Sequence, residues 1–479
     1  MLFNSVEFFV FFGLVTTAYF LLPHRFRWAL LLAASVVFYI SLIPIYIFTL
    51  FFLILVDYLA GIFIEKAEGR KRKGVLAASI LATCATLFIF KYYNFFGSNL
   101  NSLANLIGWN YSIEALSILL PIGLSFHTFQ SLSYVIEVYR KKQKPERNIG
   151  IYALYVMFYP QLVAGPIERP QNLIHQFREK HNFDYKRVSN GLKLILWGLF
   201  LKVVVADRLA IFVNTVYANP TDYTGLPLMV ATVFFGFQIF CDFAGYSTIA
   251  IGSARVMGFN LMKNFNRPYF SKSVPEFWRR WHISLSSWFR DYVYISLGGN
   301  RVSVRRLYIN ILIVFLISGL WHGASWTFIV WGILHGGYIL SDVITTGFRT
   351  KFTHKINLHK FPSIYSLISI GITFSLVTFA WIFFRADTLS DAYYIISNML
   401  SGITLDFSGL RVGLGWDEIL LSLGLIAFIV SVYAIQSKTN LIEIFSNKNI
   451  LFRWGSYIFL ILAIIFFGHA SPKFIYFQF

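Results

Sequence analysis

The sequence is poor in charge and in cysteine. Only 13% of its 479 residues are Asp, Glu, Lys or Arg, whereas soluble globular domains carry about 25%. The two cysteines, Cys84 and Cys241, both stand inside apolar runs and are not spaced like a disulfide pair or metal ligands. A disulfide-stabilised secreted domain is therefore excluded, and we expect both cysteines to be small buried apolar residues.

Apolar and aromatic side chains are abundant instead. Hydrophobic residues make up 57% of the chain and aromatic residues 19%. Apolar surface on this scale cannot all be buried in one water-soluble core, so we expect an all-α protein that crosses the bilayer many times. The first apolar run starts near Val6 without a basic region or a small-residue cleavage signal before it. We therefore predict a retained span there and not a signal peptide.

Twelve apolar runs are long enough to cross a bilayer, which takes roughly 17–25 residues. The stretch 308–343 is too long for one span and is divided in two, although its glycines could instead mark a bent or re-entrant helix. The predicted spans cover residues 6–22, 28–42, 45–64, 74–97, 114–139, 191–217, 226–258, 308–325, 326–343, 367–387, 416–436 and 454–470.

The net charge of +19 is concentrated in short loops between the apolar runs, which argues against a nucleic-acid partner. Loops 65–73 and 140–148 are rich in Lys and Arg, and loop 98–113 between them has neither. In membrane proteins, cytoplasmic loops carry more Lys and Arg than loops on the other side. We therefore place loops 65–73 and 140–148 in the cytoplasm, facing anionic lipid or an anionic substrate. Both chain termini are then predicted to lie outside.

Two segments do not fit simple spans. If residues 149–165 crossed the membrane, the basic part of segment 149–190 would lie outside, against the preference of basic residues for the cytoplasm. We therefore predict a re-entrant hairpin in this segment, with its rigid turn at 165–170. Segment 259–307 holds nine Lys or Arg against two acidic residues and is rich in aromatic rings. We expect it to form cytoplasmic helices that lie in the membrane interface.

The first chemically suggestive motif is SGLWHGASW at 318–326. His322 follows an apolar run and stands between Trp321 and Gly323, and histidine is the side chain best suited to proton transfer near neutral pH. An ionisable group at membrane depth is a functional candidate by default. The alternative is a packed histidine that bonds to a neighbouring helix. His335, in the same apolar stretch, is a further candidate.

The second motif, FWRRWHISLSSWFRD at 277–291, places His282 among arginines and tryptophans. Arg binds phosphate oxygens and Trp stacks on planar rings, so the motif suits a nucleotide-bearing donor. The alternative is an interfacial helix whose arginines contact lipid phosphates. Asp291 could pair with one of these arginines or orient a histidine.

The third candidate is Asp242, within QIFCDFAGYS in the middle of an apolar run. It needs a partner, either a basic residue of the cytoplasmic segment or a water-filled cavity, and a structural ion pair competes with a catalytic role. His127 is adequately explained as a packed histidine in a kinked helix. The histidines are scattered without metal-ligand spacing, and nucleotide-binding glycine patterns and a Gly-x-Ser-x-Gly elbow do not occur, so we predict no metal and no permanently bound cofactor.

Three blocks of this sequence, QIFCDFAGYSTIAIG, FWRRWHISLSSWFRDYVYISLGGNR and SGLWHGASWTFIVWGILHG, resemble the membrane-bound O-acyltransferase family. The similarity extends over nearly the whole chain and is strongest to the bacterial branch that includes the membrane subunit of alginate O-acetylation. The D-alanyl transfer protein of teichoic acid synthesis is a more distant relative. Ala244, Thr248 and Ser296 differ from the residues common in the alginate branch, which leaves the polymer open.

The resemblance implies a single acyltransferase domain over residues 1–479, a ring of about 11–12 spans around a cytoplasmic funnel that leads to a histidine. It implies catalytic roles for His322 and His282. Asp291, Asn300, Trp321 and Asp242 are expected to support them. The donor would be acetyl-CoA, with its phosphates held by residues among Arg279, Arg280, Arg290, Arg301, Arg305 and Arg306.

The resemblance implies that this protein lies in a bacterial inner membrane. The acceptor would be a hydroxyl on an extracytoplasmic, esterase-like partner protein or on a polysaccharide. Two other classes of protein stay open. A polytopic transporter would also carry intramembrane charge, but it usually shows internal repeats, which this sequence lacks. A non-catalytic membrane scaffold for an extracellular polysaccharide-modifying enzyme would tolerate loss of both histidines.

Overall fold

Helices form every regular element in the computed structural model. It describes residues 1–42, 44–109, 112–118, 120–121, 123–163, 165–402, 408–436, 448–469 and 474–475, and no strand occurs in these ranges. The predicted all-α class is confirmed. The first ten helices are α1 Val6–Leu21, α2 His24–Ile40, α3 Ile47–Lys66, α4 Gly69–Leu87, α5 Tyr93–Leu106, α6 Leu124–Tyr139, α7 Ile149–Met157, α8 Pro170–Leu173, α9 Tyr185–Leu199 and α10 Asp207–Ala218. The remaining helices are α11 Leu226–Met257, α12 Val274–Arg280, α13 Ile283–Trp288, α14 Val304–His322, α15 Trp326–Lys355, α16 Pro362–Arg385, α17 Leu389–Asn398, α18 Trp416–Gln436 and α19 Ile450–Phe467.

Eight helices in the described part of the chain are long and apolar enough to cross a membrane, which makes this a multi-pass membrane protein. They are Pro44–Lys66, Gly69–Leu106, Leu226–Met257, Val304–His322, Trp326–Lys355, Pro362–Arg385, Trp416–Gln436 and Ile450–Phe467. Four of the twelve predicted spans do not meet both criteria. Helices α1 and α2 have only 16 and 17 residues, and the run from α9 through α10 is not among the eight.

The fourth is the predicted span 114–139, and its start was wrong. Helix α6 begins only at Leu124, after Gly123 at a left-handed φ of 79°. Proline and left-handed glycine both interrupt helical hydrogen bonding, so Pro121 and Gly123 separate α6 from the apolar residues before it. Residues 119 and 122 of this predicted span, and residue 470 of the last one, lie outside the described residues.

The chain divides into two compact units. The first comprises Met1–Ile195 and Ser247–Met262, and the second comprises Leu196–Tyr246 and Lys263–Phe479. The expectation that the whole chain forms one acyltransferase domain stays a prediction.

In the first unit, helices α3 and α4 are joined through a buried carboxylate. The Ser79 hydroxyl donates to Asp57 Oδ1 at 2.5 Å, and the Thr83 hydroxyl donates to both Asp57 oxygens at 3.2 and 3.3 Å. These hydroxyls replace the water that an acidic side chain would otherwise need, which lets Asp57 stand inside an apolar helix.

In its described residues, 149–163 and 165–170, the segment predicted as a hairpin has no helix long enough to cross a bilayer. Helix α7 has only nine residues, and residues 158–163 and 165–169, which follow it, are not helical. Glu168 accepts hydrogen bonds from the Met262 backbone N–H and, at 2.6 Å, from the Asn172 amide. Its burial raises the pKa of Glu168 to about 7, although both hydrogen bonds oppose this shift. The re-entrant path through the membrane stays a prediction.

In the second unit, α14 and α15 form a tightly packed hairpin. A Cβ atom on Gly319 would lie 2.3 Å from the carbonyl oxygen of Phe328, and one on Gly332 would lie 2.4 Å from that of Phe315. Only glycine permits this approach of the two backbones. The predicted division of 308–343 into two helices is confirmed, because α14 ends at His322 and α15 begins after Ser325, whose hydroxyl accepts from the Thr327 N–H.

Candidate active site

His322 is the last residue of α14 and sits in an aromatic pocket of the second unit. Its ring centroid lies 4.8 Å from that of Trp321, 4.9 Å from that of Trp331 and 5.2 Å from that of Phe384, with interplanar angles of 69° to 82°. The residue retains 4% of its accessible surface. The α14–α15 hairpin positions it, since Trp331 comes from α15 and Trp321 from α14 itself.

His282 precedes α13 and is completely buried. Its φ of 42° and ψ of 54° place a non-glycine residue in the left-handed region, a conformation that persists only where the surrounding structure enforces it. The imidazole lies edge-on to Phe243 at 4.6 Å. Burial lowers the pKa of His282 to about 3, so the ring is neutral at physiological pH.

Trp321 lies between the two predicted catalytic histidines. Its ring centroid is 4.8 Å from that of His322 and 6.3 Å from that of His282. Residues 40 positions apart in the chain are thus gathered around one indole. The structure brings together the two motifs that the sequence singled out and places Trp321 beside both histidines, while its supporting role stays a prediction.

His335 on α15 belongs to the same aromatic cluster. Trp278 Nε1 of α12 donates to His335 Nδ1 at 3.2 Å. The ring centroid of His335 lies 4.9 Å from that of Trp331, which in turn contacts His322. Trp381 of α16 extends this cluster, with its ring 5.9 Å from Trp331 and 21° from parallel.

Asp242 forms a buried ion pair, but with a partner other than the one expected. Lys202 Nζ lies 2.6 Å from Asp242 Oδ1 and 2.7 Å from Asp207 Oδ1. Lys202 comes from the π-helical segment Phe200–Ala206 and not from the basic segment 259–307. Asp242 Oδ2 also accepts from the Ile475 backbone N–H at 2.7 Å. These contacts are those of a structural ion pair, and Asp242 directly precedes Phe243, which contacts His282. A supporting role for Asp242 stays a prediction.

The predicted donor-binding residues lie at the polar ends of α12 and α14 and in the chain between them. Arg290 Nε lies 2.8 Å from Asp291 Oδ1, so Asp291 pairs with an arginine, one of its two expected roles. Arg280 pairs with Glu276 of the same helix. Asn300 is exposed, and its supporting role stays a prediction. The remaining arginines are exposed, namely Arg279, Arg301, Arg305 and Arg306.

His127 is buried in the first unit, where its ring lies 6.1 Å from that of Tyr39. This placement agrees with a packed histidine. Among the described residues, no group of three or more His, Cys, Asp or Glu side chains is arranged to hold a metal ion.

Sequence reasoning missed Lys202, Trp331 and Trp381. A lysine within the apolar run LFLKVVVAD was the available signal for Lys202, since a buried cation requires a carboxylate partner. The two tryptophans carried no such signal. Aromatic residues are frequent throughout this chain, and only the fold shows that Trp331 contacts His322 and that Trp381 contacts Trp331.

The helices and the buried histidines define a polytopic membrane protein with a candidate acid–base site inside its second unit. The model of the membrane-bound O-acyltransferase (MBOAT) family matches residues 147–384, which include His282, His322 and His335. This chain belongs to the membrane-bound O-acyltransferase family and is an O-acyltransferase.

Several relatives are similar over most of their length. The probable alginate O-acetylase AlgI of Pseudomonas aeruginosa is 37% identical over 86% of this chain and 77% of its own length. A peptidoglycan O-acetyltransferase of Helicobacter pylori is 33% identical over 78% of this chain and 74% of its own. A teichoic acid D-alanyltransferase of Streptococcus thermophilus is 30% identical over 58% of this chain and 71% of its own.

Proposed function

We propose that this protein transfers an acetyl group from cytoplasmic acetyl-CoA to a hydroxyl on an extracytoplasmic acceptor. The acceptor would be an exopolysaccharide of the alginate type or a cell-wall polymer, reached directly or through an esterase-like partner protein at the inner membrane. The arrangement of His282 and His322 around Trp321 carries this proposal. The names of the relatives support acetyl transfer to polymers.

The donor would approach along α14. Arg305 and Arg306 lie in the first turn of this helix and His322 is its last residue. At 1.5 Å per residue, Arg305 and His322 are separated by about 25 Å along the axis. A donor with phosphates at one end and a thioester at the other suits such a separation, because arginines bind the phosphates while the reactive carbonyl reaches the histidine.

His322 would act as the general base. Its imidazole accepts the proton of the acceptor hydroxyl while the oxygen attacks the thioester carbon. The tetrahedral intermediate then collapses, the carbon–sulfur bond breaks, and the proton passes from the imidazolium to the departing thiolate. His282, neutral and held in a fixed backbone conformation, would orient the donor or stabilise the developing charge.

The test is release of CoA thiol and transfer of labelled acetyl groups by the purified protein in vesicles. We expect activity with acetyl-CoA and a soluble polymer acceptor, and loss of at least about 10²-fold in His322→Ala and His282→Ala. His359→Ala is the matched control, because His359 is exposed beyond the end of α15.

The same assay separates the other two classes of protein. A transporter would move acetyl-CoA or a polymer precursor across the vesicle without releasing thiol. A scaffold would support acetylation by its partner in both histidine variants. Full activity of His322→Ala would contradict the role assigned to this residue.

A further inference from the structure

Two tryptophans of the aromatic cluster that contains His322 have buried indole nitrogens without an acceptor. Trp331 and Trp381 are both completely buried. Neither Nε1 atom has a hydrogen-bond partner among the residues that the structure describes. An indole N–H can only donate, and a buried donor without an acceptor is unfavourable enough that native proteins rarely retain one.

A third donor belongs to His335. Trp278 donates to Nδ1 of this ring, so Nδ1 is an acceptor and the proton of the neutral imidazole is on Nε2. His335 Nε2 is buried as well and meets no partner in the described part of the chain. The hydrogen bond from Trp278 therefore makes His335 Nε2 the third N–H donor of this cluster.

Trp331 connects the other two donors to His322 through ring contacts. Trp331 is in ring contact with His322 at 4.9 Å, with His335 at 4.9 Å and with Trp381 at 5.9 Å. Three N–H groups in an apolar, desolvated cluster repel a cation and favour a small oxygen acceptor with several lone pairs. The oxygen of an acyl carbonyl has this chemistry, and so does the oxyanion that forms from it during acyl transfer.

We infer that the N–H groups of Trp331, Trp381 and His335 form the oxyanion site of this enzyme. The inference rests on the proposed function. When the acceptor oxygen bonds to the thioester carbon, the π electrons of the carbonyl move to its oxygen, which these N–H groups stabilise. The electrons return as the carbon–sulfur bond breaks, and CoA thiolate leaves with the proton held by His322.

The first test compares two non-reactive CoA thioethers that differ only in a carbonyl group, S-(2-oxopropyl)-CoA and S-propyl-CoA. We expect the wild-type protein to bind the ketone about tenfold more tightly by calorimetry. The substitutions Trp331→Phe and Trp381→Phe should abolish this preference, because they remove the N–H and keep an aromatic ring. The same variants should lower kcat for acetyl-CoA by about 10²-fold and leave KM within a factor of about two.

Trp197→Phe is the matched control, since the ring of Trp197 packs against Phe200 and Phe428, which are not members of the cluster. It should keep both the ketone preference and kcat. If a phenylalanine variant does not fold, 3-benzothienylalanine at the same position replaces the N–H by sulfur and preserves the ring volume.

The outcomes separate the two proposals. If both analogues bind and the tryptophan variants retain the ketone preference and kcat, the oxyanion site is wrong while the proposed function stands. If neither analogue binds to wild-type protein and no thiol is released from acetyl-CoA, both the proposed function and the oxyanion site are wrong.

Discussion

The Lys202 ammonium lies 2.6 Å from the Asp242 carboxylate in the interior of the second unit, and Asp207 shares the same cation. Lys202→Met removes the charge that both buried carboxylates share, so we expect the free energy of unfolding to fall by about 3–5 kcal/mol. Asp242→Asn should have a smaller effect, because the pair of Lys202 with Asp207 is retained. Thermal unfolding in detergent measures both.

Lys180→Met is the control for that comparison, since Lys180 is exposed. Its melting temperature should stay close to that of the wild type. If Lys202→Met melted no lower than Lys180→Met, the buried ion pair would not contribute to stability. The combination Lys202→Met with Asp242→Asn should destabilise by less than the sum of the single variants, because the two residues interact directly.

Helices α14 and α15 approach each other closely at Gly332, so we expect a larger side chain at this position to lower activity. Gly332→Ala would place Cβ 2.4 Å from the Phe315 carbonyl oxygen, so the helices must move apart and shift His322 relative to Trp331. We expect acyl-transfer activity to fall by at least about tenfold, as small displacements at a reacting group have large effects.

Gly337→Ala on the same helix separates this clash from a general effect of alanine in α15. A Cβ atom at Gly337 meets nothing within 4 Å. Activity should be unchanged and stability equal or higher by up to about 1 kcal/mol, because alanine favours helix over glycine. Equal activity in the two alanine variants would show that the close approach at Gly332 does not position His322.

The left-handed backbone of His282 allows the contribution of its backbone conformation to stability to be separated from the contribution of its imidazole to activity. Glycine and asparagine tolerate a φ of 42°, whereas alanine in this region is unfavourable by about 1–2 kcal/mol. We expect His282→Gly and His282→Asn to be more stable to unfolding than His282→Ala. All three should be equally inactive if the imidazole itself acts in the reaction. Recovery of activity in the glycine variant would instead assign His282 a purely conformational role.

Glu168 predicts a pH dependence of stability. Its pKa is about 7 in the folded protein and about 4.5 in the unfolded chain. Between these values the folded state binds more protons, so the free energy of unfolding falls as pH rises from about 4.5 to 7. The full change is on the order of 3 kcal/mol.

Glu168→Gln should remove this dependence, since the amide stays neutral at all pH values. Unfolding measured across pH 5 to 8 should therefore give a flatter curve for Glu168→Gln than for the wild type. Glu179→Gln is the control, because Glu179 is exposed and its loss should leave the slope unchanged. A wild-type slope that persists in Glu168→Gln would assign the pH dependence to another group.

Much of the candidate site was predictable because its ionisable side chains are chemically unusual in their surroundings. His322, His282 and Asp242 are ionisable groups within apolar or aromatic sequence, and such groups stand out in a membrane protein. The length of α6 was not predictable from hydropathy, since Pro121 and Gly123 act on backbone geometry and leave the apolar character of 114–139 unchanged. The partner of Asp242 was missed because an ion pair depends on proximity between helices.

The sequence by itself determined the helical class, the membrane environment and the family, because hydrophobic runs, basic loops and motifs such as WRRWH and LWHG are local properties of the chain. Only the tertiary structure decided that Trp321 contacts both His282 and His322, that Lys202 neutralises Asp242, and that Trp331 and Trp381 belong to the aromatic cluster around His322. Those relationships arise from packing between distant segments. Hydrogen-bond partners and ring contacts depend on distances of a few ångströms that no local pattern encodes.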